Sequence, residues 1–419
     1  MRSLLFSLLV LAVAADVRAA ARLTYELGGT PTPLAWSASA FPIPVSIGRA
    51  ASQNLPTGEA LIRDAFVAWE EAEGSSVSFR YEGITDVPAG KDGTNVVTIN
   101  DELFEGSGFL AFTTTWFDQK TGELLEVDIQ IDASAANDGV GVQTLVQHEI
   151  GHFLGFDHSG VLSSVMYPWV GADDLLGLDS DDRIVLTRVY PDAAKGGTAT
   201  VRGTVRTPAG GVFGAQVVAV NRNGAPVSST LTGPDGSYEL MALPPGAYTV
   251  YVEPLDGPVE TKNLSGVWRN GDAGAFRTRF RDGLQLAAGE TRSGFDLEIT
   301  NLAPELNPRW IGAFPEGAPE IRLQSTAMVL RAGTRTAIAV GGDGFVSGMT
   351  EFEILSPGFT RTSEFRYGPN YAWATYAIAP DAPASSVVIL AKNGDATATL
   401  TGALRVEAGS PGRTRLVRR

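Results

Sequence analysis

The sequence predicts a multidomain protein in which one α+β domain is followed by two all-β sandwich domains. Between residues 59 and 154, helical apolar patterns alternate with short strand patterns. Residues 198–408 instead carry short apolar strands separated by turns rich in glycine, proline and aspartate. The length of 419 residues allows two to four domains with cores of their own.

In the first domain, two segments have apolar residues at helical spacing. They are residues 59–73, with a stripe that includes Phe66 and Trp69, and residues 140–154, with Asn137, Asp138 or Gly139 near the start. Strand patterns are predicted at residues 77–81, 95–100, 109–117 and 127–132.

The three histidines of the chain all fall within residues 148–158. His148 and His152 are four residues apart, so a helix places them on one face with Glu149 between them. Neutral imidazole is a ligand that suits Zn²⁺, and the pattern HExxH predicts two zinc ligands. Gly155 allows the chain to turn back after the helix, so that His158 can supply a third ligand.

This extended motif resembles that of the metzincin zinc endopeptidases. Met166 fits the methionine that metzincins place in a tight turn beneath the zinc. Ser159 and the sequence Met166-Tyr167-Pro168 are most similar to the matrixin branch, because astacins have a tyrosine where this chain has Pro168. The resemblance covers residues 22–192, and it implies a twisted mixed sheet with helices.

The resemblance implies a secreted zinc-dependent endopeptidase. Three protein ligands leave a fourth position for water, as in catalytic zinc sites. Glu149 is expected to act as the general base that takes the proton of this water and passes it to the leaving amine. Met166 is expected to pack beneath the histidines without binding the metal.

Further site residues follow from the same resemblance. Leu110 and Ala111 lie in a segment that looks like the matrixin edge strand, which can pair with an extended substrate. A plain sheet strand remains an alternative. Tyr167 and Pro168 are expected to border the pocket for the side chain after the scissile bond. Residues 181–191 look like the closing matrixin helix, with its paired aspartates.

The chain also departs from the matrixin pattern. Many matrixins bind a second, structural zinc, but Phe112 and Gln130 stand where histidines would be needed, so we expect no such ion. Structural Ca²⁺ is a further expectation at Asp128 and Asp132, with solvated loop aspartates as the alternative. The absence of cysteine excludes a thiol latch from a propeptide.

The N-terminus and the composition indicate an exported protein. Residues 1–21 have a positive start, an apolar run too short for a membrane span and an Ala-x-Ala cleavage site, which is typical of a signal peptide. No later segment predicts a transmembrane anchor. An exported chain without cysteine favours a bacterial source. The net charge of −15 argues against nucleic acid as a partner.

The remaining chain is divided into a linker at 193–197, a β-sandwich at 198–300, a second β-sandwich at 301–408 and a basic tail at 409–419. The first sandwich, with turns at residues 234–238 and 243–246, resembles the carboxypeptidase regulatory-like (transthyretin-like) domains. It carries no candidate catalytic group, so an accessory or spacer role is expected.

The second sandwich resembles immunoglobulin-like domains of the IPT/TIG type. Its segments 341–345 and 387–390 carry this resemblance. Tyr367, Tyr371 and Trp373 are candidates for a patch that binds a cell surface, a glycan or matrix, and a role in the core is the alternative.

Two alternatives to an endopeptidase stay open. One is a cell-surface or matrix adhesion protein with a minor or vestigial protease domain, because more than half of the mature chain is non-catalytic. The intact Glu149 argues against decay of the site. The other is a zinc hydrolase that acts on a non-protein amide.

Overall fold

An α+β unit followed by two all-β units makes up the structure, which confirms the predicted fold class. The computed structural model describes residues 22–27, 30–136, 141–171, 175, 177–192, 197–255, 257–300, 306–318 and 320–408. Several predicted features lie outside the described residues: the signal peptide, the start of the second helix at 137–140, linker residues 193–196, the start of the second sandwich at 301–305 and the tail. Among the described helices, none has the length and apolar character needed to cross a bilayer.

A five-stranded sheet and the helices around it form the first unit. Its elements are β1 (Thr24–Leu27), β2 (Thr30–Pro33), β3 (Ile43–Gly48), α1 (Arg49–Asn54), α2 (Glu59–Glu70), β4 (Phe79–Thr85), β5 (Val96–Ile99), α3 (Asp101–Phe104), β6 (Ala111–Phe117), β7 (Leu124–Ile131), α4 (Val142–Phe153) and α5 (Ser180–Val189). The sheet order is β4-β3-β5-β7-β6, and only the edge strand β6 runs antiparallel to its neighbour. Strands β1 and β2 form a separate hairpin.

Helix α2 lies under α4 through an apolar stripe. Ile62, Ala65, Phe66 and Trp69 recur at helical spacing and are buried. The indole nitrogen of Trp69 donates a hydrogen bond to the carbonyl oxygen of Gln147 in α4 at 3.0 Å. This packing fixes the helix that carries the histidine motif.

The element boundaries differ from the predicted ones by a few residues. Helix α2 ends at Glu70 rather than at residue 73, and β4 runs to Thr85 rather than ending at residue 81. The short helices α1 and α3 were not predicted, because one or two turns are too short to show a helical period.

The second unit is a sandwich of two sheets. Its strands are β8 (Ala199–Thr207), β9 (Gly210–Gly211), β10 (Gln216–Asn221), β11 (Pro226–Leu231), β12 (Ser237–Leu243), β13 (Gly246–Glu253), β14 (Arg279–Leu286), β15 (Thr291–Arg292) and β16 (Leu297–Glu298). One sheet has the order β11-β10-β13-β14, and the other is built around β8 with β12 and β15 beside it. Two 3₁₀ turns, Thr261–Asn263 and Gly266–Asn270, lie in the long connection between β13 and β14.

The third unit is also a two-sheet sandwich. Its strands are β17 (Asn307–Phe314), β18 (Met328–Arg331), β19 (Arg335–Asp343), β20 (Glu351–Ile354), β21 (Phe359–Arg361), β22 (Arg366–Tyr367), β23 (Tyr371–Ile378), β24 (Ser386–Asn393) and β25 (Ala396–Glu407). The sheets have the orders β17-β19-β23-β21 and β18-β25-β24-β20.

The three units share buried surface. Leu162 and Tyr167 of the first unit, Leu264 and Trp268 of the second and Ile338 of the third belong to one buried apolar cluster. The backbone N–H of Leu162 also donates to the carbonyl oxygen of Thr401 at 2.9 Å. Burial of this kind stabilises a packed assembly, and a spacer would not require it.

Candidate metal centre

Helix α4 and the turn after it bring the motif together. The helix ends at Phe153, and Gly155 follows with a φ of +85°, in the left-handed region. A Cβ atom at Gly155 would lie 2.5 Å from the carbonyl oxygen of Leu34, so only glycine fits. The chain can therefore reverse and present His158 to the helix.

The three imidazoles converge. His148, His152 and His158 each offer one ring nitrogen, and these nitrogens all lie within 4.8 Å of one another. The ring centroids are 4.7, 5.2 and 5.0 Å apart in the three pairs. In the part of the chain that the structure describes, no other group of three histidine or acidic side chains is arranged in this way.

Each imidazole is oriented by a backbone carbonyl. The Nδ1 atom of His148 lies 2.7 Å from the Val165 oxygen, and that of His152 lies 2.7 Å from the Phe156 oxygen. The Nδ1 atom of His158 lies 2.5 Å from the oxygen of Asn263, which belongs to the second unit.

A carbonyl oxygen can only accept a hydrogen bond, so Nδ1 must carry the proton in all three rings. In the neutral form of each ring, Nε2 then has a lone pair that can bind a metal ion. Metal-binding histidines commonly have this arrangement, in which the N–H of the other ring nitrogen donates to a carbonyl oxygen and so orients the ring.

Burial keeps the two helix-borne imidazoles neutral. Burial and the neighbouring rings of His152 and His158 hold the pKa of His148 well below its usual value. Burial and His158 lower the pKa of His152 to about 3. Neutral imidazole is the form that binds metal ions, so these two rings, together with His158, form a donor set that fits a zinc ion of the catalytic type.

Glu149 lies beside this cluster in a buried position, with 5% of its surface exposed. The Thr113 hydroxyl, on edge strand β6, donates to Glu149 Oε2 at 2.5 Å. Burial raises the pKa of Glu149 to about 7, and the hydrogen bond from Thr113 opposes this shift. The Glu149 carboxyl group therefore lines the same cleft as the three imidazoles and has a pKa near neutrality.

Thr113 was not singled out from the sequence. It lies in the predicted edge strand, next to the predicted substrate-binding residues. Its contact with Glu149 depends on how β6 lies over α4, which residue spacing alone does not determine.

Met166 packs directly against the metal-binding helix. A Cβ atom at Gly151 would lie 2.0 Å from the Met166 sulfur, so the thioether occupies the space of a missing side chain. The carboxylate of Asp182, on α5, holds the chain just before Met166 in place. It accepts hydrogen bonds from the Ser164 hydroxyl at 2.5 Å and from the N–H of Val165 at 3.0 Å.

An open cleft of about 750 Å³ runs past the three histidines. Leu110, Ala111 and Pro168 line this cleft, as do residues of β1 and residues 263–265 of the second unit. Tyr167 is absent from the lining. Its side chain is buried, and its hydroxyl donates to the carbonyl oxygen of Ser325 at 2.6 Å.

The residues considered for other metals have protein partners. Asp128 accepts hydrogen bonds from the N–H groups of Gly90 at 2.8 Å and Val96 at 2.9 Å. Asp132 accepts from the N–H of Ser134 at 2.8 Å. The Ca²⁺ expectation stays a prediction, as does the expected lack of a structural zinc at Phe112 and Gln130.

The aromatic residues of the third unit take part in packing. Trp373 lies with its ring centroid 5.7 Å from that of Phe314, and the Arg366 guanidinium lies 4.9 Å above the Trp373 ring. Tyr371 packs against the same small cluster, and Tyr367 packs against the larger shared one. A binding role for this patch stays a prediction.

Comparison with known families agrees with the fold and the site. Residues 48–191 match the matrixin family, and residues 200–265 match the carboxypeptidase regulatory-like domain. The chain thus carries a matrixin domain, which is the domain of a zinc metallopeptidase family, followed by a carboxypeptidase regulatory-like domain. Both predicted resemblances are confirmed, whereas the IPT/TIG-type assignment of the third unit stays a prediction.

No curated protein matches the chain. Solved structures with some likeness include the major pilin subunit of Bacillus cereus (13% identity, 48% of this chain and 66% of that chain, TM-score 0.17). Another is the TIE protein of Bacillus anthracis, with 11% identity over 51% of this chain and 33% of that chain and a TM-score of 0.16. A third is the major pilin SpaD of Corynebacterium diphtheriae, with 8% identity over 52% of this chain and 64% of that chain and a TM-score of 0.16. The chain covers less than two thirds of each of these structures, and the TM-scores are too low to assign a common fold.

Proposed function

We propose that the protein is a secreted zinc-dependent endopeptidase in which Glu149 is the general base. The observation that carries this proposal is the convergence of three imidazoles, each with its Nδ1 atom on a carbonyl oxygen, beside a buried glutamate. The matrixin match of residues 48–191 supports the same conclusion.

In the proposed mechanism, His148, His152 and His158 would hold a zinc ion through Nε2. When bound, zinc supplies the Lewis acidity that acidifies a water molecule and polarises the substrate carbonyl. Glu149 accepts the proton of the attacking water and transfers it to the leaving amine. Thr113 keeps the Glu149 carboxylate oriented through its hydrogen bond, which limits the motion needed before proton transfer.

The cleft supports cleavage within a chain. Strand β6 is the edge of its sheet, so its outer backbone groups can pair with an extended peptide. The cleft is open, and Leu110, Ala111 and Pro168 supply its walls near the metal site. Pairing of this type needs neither end of the substrate, which favours an endopeptidase.

Export is part of the proposal. It rests on the signal-peptide pattern of residues 1–21, and the lack of cysteine favours a bacterial source.

The test is cleavage of casein and gelatin by the purified protein, with and without phenanthroline. We expect cleavage that stops with the chelator and returns when Zn²⁺ is added back. If no protein is cleaved in a chelator-sensitive way although zinc is bound, the adhesion protein or the hydrolase of a non-protein amide becomes the better explanation.

A further inference from the structure

We propose that the second unit is a working part of the zinc site, an inference that rests on the proposed function. Residues 260–266, here called the anchor turn, orient the third metal ligand and form part of the cleft wall. The second unit would then have a role beyond the accessory or spacer role that the sequence led us to expect.

The first contact is made with the ligand itself. The Nδ1 atom of His158 lies 2.5 Å from the carbonyl oxygen of Asn263, which is 105 residues further along the chain. Such outer-shell acceptors fix the tautomer and direction of a metal-binding imidazole, and their loss weakens metal binding about 10–100-fold. Asn263 is therefore a positioning residue for His158.

The second contact holds the residue before the ligand. Asp157 is buried, and its Oδ2 atom accepts hydrogen bonds from both the N–H and the hydroxyl of Ser265, each at 2.7 Å. Its Oδ1 atom accepts from the N–H of His158 at 2.8 Å. One carboxylate thus connects the backbone of the ligand to the backbone of the anchor turn.

The anchor turn has a defined shape of its own. The N–H of Glu260 donates to the Asn263 side-chain oxygen at 2.9 Å, and the N–H of Asn263 donates back to the Glu260 carbonyl at 2.9 Å. Gly266 follows with a φ of +57°, and a Cβ atom there would lie 1.7 Å from the Thr24 hydroxyl oxygen. The turn is therefore closed internally and lies close against strand β1.

The same turn faces the substrate cleft. Asn263, Leu264 and Ser265 line it together with the three histidines and strand β6. A peptide bound in the cleft would contact both the matrixin domain and the second unit.

The experiment uses the small number of histidines. The chain has three, all in the site, so ¹⁵N-histidine labelling of the full-length, zinc-loaded protein reports each imidazole Nδ1–H separately. Asn263→Ala removes the side-chain oxygen that closes the turn. We expect faster water exchange of the His158 Nδ1–H, unchanged signals of the other two rings, and zinc affinity lower by about tenfold.

Two further variants complete the test. Lys262→Ala is the matched control, because this exposed side chain of the same turn forms an ion pair with Glu260 at 2.5 Å. We expect wild-type signals and affinity. Gly266→Val forces a side chain against Thr24 and should displace the turn further, with a larger effect on His158 alone.

Unchanged His158 signals and zinc affinity in folded Asn263→Ala and Gly266→Val would overturn the inference. If neither variant folds, Ser265→Ala decides, since it removes one hydroxyl donor to Asp157 and should still speed His158 exchange; no change there overturns the inference. Peptidase activity is measured in parallel. Selective loss at His158 in a protein that cleaves no peptide contradicts only the proposed function, whereas an active enzyme with three unaffected imidazoles contradicts only the anchor turn.

Discussion

The imidazoles of the candidate metal centre are oriented from two different regions of the molecule. His148 and His152 use carbonyl oxygens that lie 17 and 4 residues away in sequence, whereas His158 uses one that lies 105 residues away in another unit. The ligands come from one short motif, but the groups that orient them do not. A compact motif can thus depend on a distant part of the fold for its geometry.

Two adjacent aspartates of α5 show the same division. Asp182 accepts hydrogen bonds from Ser164 and Val165 in the turn beneath the metal site, so it acts within the matrixin domain. Asp181 accepts from the hydroxyl of Ser159, next to the third ligand, and from Ser229 in the second unit. One carboxylate supports the local region and its neighbour connects the two regions.

The largest expected effect is on the chemical step, and it should leave the orienting contacts from both regions unchanged. Glu149→Gln keeps the size of the side chain but removes the base, so kcat should fall by about 10³-fold. Bound zinc and the three imidazole Nδ1–H signals should stay as in the wild type, because no Nδ1 contact involves Glu149. Peptide cleavage at the wild-type rate would show that another group is the base.

The next effect compares the two aspartates. Asp182→Ala leaves buried donors of Ser164 and Val165 without an acceptor, so the free energy of unfolding should fall by about 3 kcal/mol. Urea denaturation measures this loss, and the His148 imidazole signal should change because its acceptor is Val165.

Asp181→Ala is the matched variant of the distant region. It should perturb the signal of His158 more than that of His148, since Asp181 joins Ser159 to Ser229. Identical changes in the two variants would mean that the two regions are not separate.

The next effect is a pH dependence of stability, which tests the role of Asp182 within the matrixin domain. Burial raises the pKa of Asp182 to about 7, above that of an unfolded aspartate. The protonated carboxyl of Asp182 therefore contributes fully to the free energy of unfolding at pH values below about 4. This contribution is lost as the pH rises through about 7. The stability of the wild type relative to Asp182→Asn should therefore fall over this interval, measured by urea denaturation. A constant difference would contradict the shift.

The smallest expected effect concerns the edge strand. Thr113→Val keeps the shape of the side chain and removes the donor to Glu149, so kcat should fall about tenfold with little change in KM. Thr114→Val is the control, since its hydroxyl contacts Gln130 rather than Glu149. Equal rates for the wild type and Thr113→Val would remove Thr113 from the mechanism.

The part of the site that the sequence predicted is the part determined by local spacing. Two histidines four residues apart on a helix share a face, and Gly155 permits the turn that brings in His158. The β-sandwich units were also predictable, because repeated turns and short apolar strands are local patterns.

The remaining part depends on long-range packing. The acceptor for His158 is a backbone carbonyl, which every residue type has, so the residue type at position 263 does not predict the contact. Tyr167 was expected at the substrate pocket, but its hydroxyl lies on the carbonyl of Ser325 in the third unit. Thr113 meets Glu149 through the placement of β6 over α4. Each of these contacts follows from how separate elements dock.

The anchor turn has a consequence for the lifetime of the proposed peptidase. A peptidase can be cleaved by other copies of itself. The chain between residues 197 and 260 joins the loop that carries His158 to the turn that supports it. A nick there would leave this support to noncovalent docking alone. We expect autolysis to yield a slowly inactivating species rather than a trimmed, long-lived one, so self-digestion would act as a timer.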